Sequence, residues 1–236
     1  MHSLKSWVIA MATLPLVAVG CDYATAKTDP DEPTADMAER GEAHYVNYCL
    51  QCHGENGAGN PDIGAPSIGG LPYWYVAQQL YNFRNGIRGV AYDDIAGKRM
   101  RPMAWALPSD RQLREVAAYV DGIQDDVGEI VGLQSVKTVT TIQATAEELA
   151  AGKASYLVCT ACHGANGMGN PDLHSPKLVH LPDWYIVTQL KNFKSGARGR
   201  HPDDQWGQTM WPNAIALEEQ DMENLAAYIQ TLKSGN

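Results

Sequence analysis

Apolar residues recur at helical spacing in three pairs of segments along the chain. The segments are Ala38–Tyr48 and Glu147–Val158, Trp74–Asn85 and Trp184–Ser195, and Ser109–Ile123 and Glu218–Leu232. Gly86 and Gly196 follow the second pair, where glycine commonly ends a helix. The stretches between the segments are rich in Gly, Pro and Asn and are predicted to be loops, and no alternating pattern indicates a strand. The pattern therefore predicts an all-α fold.

The first 20 residues have the layout of a secretory signal peptide. His2 and Lys5 precede an apolar run from Trp7 to Val19, and small residues follow it. No other stretch of the sequence approaches the about 18 apolar residues that cross a bilayer. We therefore expect an exported protein of the bacterial periplasm, attached to a membrane only through lipid or a partner.

Two cleavage sites are compatible with this signal. Ala18-Val19-Gly20-Cys21 resembles a lipobox, which would make Cys21 a lipidated N-terminus, although Ala18 stands where Leu is more usual. Ala24-Thr25-Ala26 resembles an ordinary cleavage site, and cutting there would remove Cys21. We favour the lipoprotein because it gives the unpaired cysteine a role. Residues 21–36 are then a polar, flexible tether.

The chain contains the same unit twice. A shift of 110 residues aligns Cys49-Leu50-Gln51-Cys52-His53 with Cys159-Thr160-Ala161-Cys162-His163, and identities continue through Trp74-Tyr75 and Trp184-Tyr185. Such a long internal match indicates a duplicated domain. We predict domain 1 over residues 37–124 and domain 2 over residues 146–236, joined by a linker at 125–145.

Composition and charge exclude several classes of protein. Of 236 residues, 44% are hydrophobic and 19% are charged, which is ordinary for a folded chain and unlike collagen or a coiled coil. The net charge of −9 argues against binding to a nucleic-acid backbone. An acidic chain is expected to dock to basic or neutral partners.

The two Cys-x-x-Cys-His motifs carry the chemistry. Two thiols on one turn can add to the vinyl groups of a haem, and the adjacent His can bind the iron. A thioredoxin-type redox pair would need a preceding strand, and a zinc site would need further ligands nearby. We therefore expect two covalently bound haem c groups, held by Cys49, Cys52, Cys159 and Cys162, with His53 and His163 as axial ligands.

The second axial ligand is expected later in each copy. Met100-Arg101-Pro102 aligns with Met210-Trp211-Pro212, so Met100 and Met210 are the predicted distal ligands. A methionine of this kind is otherwise core filler. Met103 is the rival in the first copy, but Asn213 stands at its equivalent place in the second.

Taken together, these features resemble a class I cytochrome c. Two such units in one exported chain are similar to the dihaem cytochrome c4 family over nearly everything after residue 36. The resemblance implies that the carbonyls of Pro66 and Pro176 accept a hydrogen bond from Nδ1–H of the axial histidines. It further implies that Gly41 and Gly152 lie where the first helix crosses the last, beside Tyr119 and Tyr228.

The resemblance also offers candidates for binding the haem propionates, each equally compatible with a packing or surface role. They are Trp74, Tyr75, Asn82 and Arg88 in the first copy, and Trp184, Tyr185, Asn192 and Arg198 in the second. His44, His174, His180 and His201 have no counterpart in the other copy and are expected to be surface residues. The Asp93-Asp94 and Asp203-Asp204 pairs are expected in loops or helix caps.

Two classes of function follow from the resemblance. The first is an electron carrier between a donor, a quinol-oxidising complex or dehydrogenase, and an acceptor, a terminal oxidase or reductase. The alternative is an electron-transfer subunit of a periplasmic dehydrogenase, or a dihaem oxidoreductase such as a peroxidase or thiosulfate dehydrogenase. His and Met on both irons would leave no open position for substrate, which favours the carrier and predicts no catalytic residue.

Overall fold

The structure is a computed structural model and describes residues 32–123, 142–179 and 181–232. The predicted signal peptide (1–20), Cys21, His180 and most of the predicted tether and linker lie outside the described residues. The ends of both connecting segments are described. The first helix already begins at Ala35, and residues 142–145 lead into the helix that begins at Ala146.

Helices form the framework of both repeats. The first repeat contains α1 (Ala35–Tyr48), α2 (Leu50–His53), α3 (Tyr73–Arg84), α4 (Ile95–Trp105) and α5 (Asp110–Gly122). The second contains α6 (Ala146–His163), α7 (Asp183–Ser195), α8 (Gln205–Ile215) and α9 (Glu219–Leu232). A short 3-10 helix lies in each repeat, at Pro61–Ile63 and Pro171–Leu173. Apart from two isolated bridges, the described ranges contain no strand, and the predicted all-α fold is confirmed.

The three predicted pairs of helices form close to the expected positions because capping residues fix their starts. Thr34 accepts a hydrogen bond from the backbone N–H of Met37 at the start of α1. Ser109 and Thr145 each form a reciprocal capping box at the starts of α5 and α6. The main difference is that α6 continues through the second cysteine motif to His163, well past the predicted end at Val158.

The prediction that residues 95–105 and 205–215 are loops is wrong, because they form α4 and α8. Pro102 and Pro212 lie inside these helices, where proline removes a backbone hydrogen bond. Asp94 and Asp204 cap the helices by accepting from the N–H groups of Gly97 and Gly207, so the expected capping role is observed. Packing of the buried Ala104 and Ala214 offsets the poor helix propensity.

Each repeat closes where its first helix crosses its last. A Cβ on Gly41 would lie 1.9 Å from the carbonyl oxygen of Glu115, and one on Gly152 would lie 2.1 Å from that of Asn224. Only glycine permits such a close backbone approach. The side chains of Tyr119 and Tyr228 border the same crossings, as expected.

The described residues of both repeats lie in one compact unit. In the first repeat α3 packs against α4 and α5, and in the second α7 packs against α8 and α9. None of the described helices is both long and apolar enough to span a bilayer.

Candidate functional site

A cavity in each repeat brings the cysteine motif together with the distal methionine. The first pocket is lined by Cys49, Cys52 and His53, and by Met100 and Met103 of α4. It encloses about 1200 Å³ of space, including the part open to solvent.

The second pocket is about 960 Å³ by the same measure. It is lined by Cys159 and His163 of α6 and by Met210 of α8. Asn213, the counterpart of Met103, is not among the described residues that line it.

The two motif histidines are held in one tautomer. Nδ1 of His53 lies 2.9 Å from the carbonyl oxygen of Pro66, and Nδ1 of His163 lies 2.9 Å from that of Pro176. A carbonyl can only accept, so Nδ1–H donates and Nε2 keeps its lone pair. Burial lowers the pKa of both histidines, which further favours the neutral form that binds metal.

The first cysteine of each motif is a poor nucleophile for thiol–disulfide exchange. Burial raises the pKa of Cys49 to about 12, and it also raises the pKa of Cys159. Thiol–disulfide exchange requires a lowered pKa, because the thiolate is the reactive form. All four motif cysteines are half-buried. Neither Cys49 nor Cys159 is therefore suited to start such an exchange.

The two pockets share one polar wall at the junction of the repeats. Tyr75, Gln79, Tyr185 and Gln189 line both pockets. Arg88 donates to Gln79, and to the Tyr185 hydroxyl at 3.1 Å and Gln189 at 2.9 Å in the other repeat.

Arg198 makes the matching set of contacts from the second repeat. It donates to Gln189 in its own repeat, and to the Tyr75 hydroxyl at 3.2 Å and Gln79 at 3.0 Å across the junction. We call the six residues Tyr75, Gln79, Arg88, Tyr185, Gln189 and Arg198 the shared wall.

The shared wall favours an anion. Burial opposes ionisation of Tyr75, but Arg198 and Arg88 outweigh it and hold the pKa of Tyr75 below its ordinary value. The buried Nε of Arg88, on the wall of the first pocket, has no hydrogen-bond partner among the described residues. A buried guanidinium with an orphaned N–H, close to the second guanidinium of Arg198, fits the carboxylates of a haem, so the residues present are compatible with this cofactor.

The other propionate candidates are placed differently. Trp74 lines the second pocket, whereas Asn82, Asn192 and Trp184 are not among the described residues that line either one. Asn82 is buried and donates across the junction to Asp204 at 3.4 Å. The indole N–H of Trp184 is buried without a hydrogen-bond partner among the described residues.

Two of the histidines expected at the surface differ in their surroundings. His44 lies 3.4 Å from the buried carboxylate of Glu115, and His174 is exposed but also lines the second pocket. The ring of His174 stacks on Trp206 with centroids 3.9 Å apart and contacts Trp74 edge-on at 5.5 Å. We call Trp74, His174 and Trp206 the aromatic stack.

Sequence reasoning missed the functional surroundings of Gln79 and Gln189. Both recur at the 110-residue offset, which was the available signal. It also missed the aromatic stack. The available signal was a paired difference between the repeats, because His174 and Trp206 stand where the first repeat has Gly64 and Ala96.

Known proteins resemble this chain in both repeats. A family model described as cytochrome c matches residues 38–124 and 149–233. Cytochrome c4 of Stutzerimonas stutzeri is 29% identical over 204 residues, covering 84% of this chain and 90% of that protein. The thiosulfate dehydrogenase electron acceptor of Thiomonas intermedia (strain K12) is 30% identical over 157 residues, covering 65% of this chain and 66% of that protein. The crystal structure of reduced recombinant cytochrome c4 from Pseudomonas stutzeri has a TM-score of 0.61 at 27% identity, covering 82% of this chain and 97% of that one.

Proposed function

We propose, from the premise that the chain belongs to the cytochrome c family and is a dihaem electron-transfer cytochrome, that it carries electrons in the bacterial periplasm. Its donor would be a quinol-oxidising complex or a dehydrogenase, and its acceptor a terminal oxidase or reductase. When bound, each haem c supplies an iron that stores one electron. The roles that follow belong to the chain's own residues.

His53 and His163 are the proposed proximal ligands. The Nδ1–H bonds to Pro66 and Pro176 fix each imidazole and leave Nε2 available to the iron. The thiols of Cys49, Cys52, Cys159 and Cys162 hold the haem groups covalently, so neither cofactor is lost between partners.

Met100 and Met210 are the proposed distal ligands. Each lies on a helix that the cap at Asp94 or Asp204 positions, and each lines its pocket. Met103 also lines the first pocket, so the preference for Met100 rests on the repeat. A thioether ligand favours ferrous iron and raises the potential relative to two histidines.

The shared wall is the observation that carries this proposal. Four of its side chains line both pockets, which makes the two cofactor sites neighbours within one unit. Its arginines are proposed to hold the propionates and to keep the charge on that side of each haem compensated. The arrangement suits a pair of adjacent redox centres rather than a substrate site.

The second candidate is the electron acceptor of a periplasmic dehydrogenase. The similarity to the thiosulfate dehydrogenase electron acceptor of Thiomonas intermedia (strain K12) favours it. The same two pockets would serve this role, and only the docking partner would differ.

The test is ligand binding to the reduced holoprotein. We expect carbon monoxide to leave the optical spectrum of both haems unchanged, because His and Met fill both irons. We also expect the chain alone to oxidise no thiosulfate while accepting electrons reversibly in a potentiometric titration. Carbon monoxide binding at either haem, or thiosulfate turnover by the chain alone, would contradict the carrier function and favour an enzyme.

A further inference from the structure

The outer rims of the two pockets differ, although their ligating residues match. At the second pocket, the rings of His174 and Trp206 lie parallel within 8°, and Trp74 of the first repeat closes against His174. All three side chains line the second pocket. The aromatic stack therefore covers this rim and joins the two repeats across it.

The first pocket has a similar turn at this rim but no ring at the places of His174 and Trp206. Gly64 and Ala96 occupy the places of His174 and Trp206, and a Cβ added to Gly64 would lie 3.8 Å from that of Ala96. The backbone of Gly64 has φ 69°, and that of His174 has φ 49°. His174 is the one non-glycine residue among the described residues with positive φ, a conformation that side chains rarely adopt. The second repeat thus retains a strained residue where the first has glycine.

The residues that border the two pockets on this side also differ. Ile63, Arg99 and Met103 line it, whereas their counterparts Leu173, Thr209 and Asn213 are not among the described residues that line the second pocket. Ile63 and Ile95 beside this rim are 39% and 54% exposed. At the second rim Leu173 and Trp206 are 47% and 36% exposed, but Gln205 stands at the place of Ile95. A rim with exposed apolar groups around a cavity is typical of a site that a partner covers.

Charge distinguishes the two rims as well. Helix α4 carries Lys98, Arg99 and Arg101, where α8 carries Gln208, Thr209 and Trp211. The nearby acidic residues Asp62 and Asp93 recur as Asp172 and Asp203, so they do not cancel the difference. Lys98 and Arg99 are exposed, and Arg99 is fixed at the rim by donating to the carbonyl of Ile63 at 2.8 Å. Arg101 packs beside Gly86 as Arg200 packs beside Gly196, so the difference that remains is the two exposed cations Lys98 and Arg99, in a chain whose net charge is −9.

We propose that the open rim, defined as Ile63, Gly64, Ile95, Ala96, Lys98 and Arg99, is the docking surface for an acidic redox protein, and that the aromatic stack closes the second rim to such a partner. This inference rests on the proposed carrier function. It reverses, for this one surface, the expectation that an acidic chain docks to basic partners. Carboxylates of the partner would pair with Lys98 and Arg99 around an apolar contact at Ile63 and Ile95.

The test uses proton NMR of the ferric holoprotein and two paramagnetic probes. A neutral gadolinium chelate measures access to the haem methyl groups, and hexacyanochromate(III), a trianion, measures attraction of anions to each rim. Lys98→Gln/Arg99→Thr gives the open rim the residues of the second repeat, and His174→Gly/Trp206→Ala gives the second rim those of the first. The matched control Gln208→Lys/Thr209→Arg adds charge beside the closed rim. Each variant shifts the methyl signals of its own pocket and so assigns them to a repeat.

We expect both probes to broaden the first-repeat methyl signals several-fold more than those of the second repeat. Lys98→Gln/Arg99→Thr should remove most of the effect of the anion and leave that of the neutral chelate. His174→Gly/Trp206→Ala should raise the effect of the neutral chelate on the second repeat to that on the first. The matched control should leave the second-repeat signals below those of the first with either probe.

Equal broadening of both haems in the unaltered protein would overturn the proposal. Broadening by the anion that is unchanged in Lys98→Gln/Arg99→Thr would overturn it too. Broadening of the first-repeat signals with protein concentration, without any probe, would identify a second copy of the chain as the occupant instead. High-spin methyl shifts would contradict the proposed function, whereas low-spin signals with equal broadening would contradict only the docking surface.

Discussion

The two repeats agree where they face the cofactor and differ where they face other molecules. Both contain the cysteine pair, the His–Pro hydrogen bond, a capped helix with its methionine and one arginine of the shared wall. The rims instead exchange Gly64 and Ala96 for His174 and Trp206. After duplication, the chemistry of the site constrains both copies, whereas the outer surface of each copy can take a separate role.

A second difference lies in how each repeat reaches its cysteine motif. Cys49 lies eight positions after Gly41, but Cys159 lies seven positions after Gly152. The first repeat absorbs the additional residue in a break at Cys49 between α1 and α2, whereas α6 is continuous. Tyr45 and Tyr156 nevertheless make the same hydrogen bond, to the carbonyls of Gly54 and Gly164. Both repeats therefore have the same helix crossing and the same motif geometry, because the break at Cys49 accommodates the additional residue.

The largest expected effect tests whether both pockets use a methionine as the distal ligand of the iron. Met100→Ala and Met210→Ala should each convert one haem from low to high spin. Each should lower that haem's potential by a sizeable fraction of the about 0.8 V over which axial ligands set it. Potentiometry with EPR detection measures both. Met103→Ala is the matched control, and a high-spin haem in that variant, but not in Met100→Ala, would move the ligand to Met103.

The helix crossings should respond alike in the two repeats. Gly41→Ala and Gly152→Ala each place a Cβ about 2 Å from a backbone carbonyl, which neither helix can avoid without moving. We expect a loss of about 3 kcal/mol or more in the free energy of unfolding, at the upper end of overpacking effects. Gly122→Ala, with nothing within 4 Å of its Cβ, is the control for denaturant unfolding. A stable Gly152→Ala variant would show that the second crossing is looser than the structure indicates.

The shared wall should couple the repeats. Arg88→Gln and Arg198→Gln each remove hydrogen bonds made by a buried charged group, with an expected loss of about 2–3 kcal/mol. Both arginines contact Gln79 and Gln189, so the double variant should lose less than the sum of the single losses. Denaturant unfolding measures the losses, with the exposed Arg114→Gln as control. Strictly additive losses would mean that the two arginines act independently.

The smallest expected effect is a pH dependence of the unfolding free energy that arises at the helix crossing of the first repeat and not at that of the second. Glu115 is 3% exposed and bonds Arg40 and Arg111, where the second repeat has Asn224. Burial alone would raise the pKa of Glu115, but the two arginines outweigh it and lower that pKa below its ordinary value of 4.5. The paired carboxylate therefore stabilises the fold above that pH, and this contribution is lost as the pH falls through the lowered pKa.

Glu115→Gln should thus cost about 1.5 kcal/mol near neutral pH and less in acid. The measurement is the free energy of unfolding at roughly pH 7 and roughly pH 3.5, on either side of the ordinary carboxyl range. Glu39→Gln, which alters an exposed carboxylate on the same helix as Arg40, serves as the control. A cost for Glu115→Gln that stays constant with pH would show that the pairing with Arg40 and Arg111 contributes nothing.

Local patterns in the sequence predicted most of the fold and the attachment of the cofactor. Helical periodicity and capping residues act over a few positions, so α1, α3, α5 and their counterparts could be placed. The helices α4 and α8 could not, because Gly97 and Pro102 argue against a helix by propensity. What stabilises them is the Asp94 cap and packing of Ala104, and packing is not visible in the local sequence.

The cross-repeat contacts of the shared wall, and the contact of Trp74 with His174, join residues about 100 positions apart. Arg88 and Tyr185 both recur in the repeat, but recurrence does not show that they meet each other across the junction. His174 has no histidine counterpart in the first repeat and is therefore predicted to be a surface residue, and nothing in the sequence pairs it with Trp206. Their pairing becomes visible only once the fold brings residues 174 and 206 together.

The most direct test of the central claim is a set of spectra of the purified, oxidised holoprotein. Haem is counted per chain, EPR gives the spin states, and the near-infrared region shows whether sulfur binds the iron. We predict two haems per chain, both low-spin, each with a sulfur-to-iron charge-transfer band. A high-spin haem, or a low-spin haem without the sulfur band, would contradict His and Met ligation in that repeat. It would favour the alternative that this repeat holds a catalytic haem.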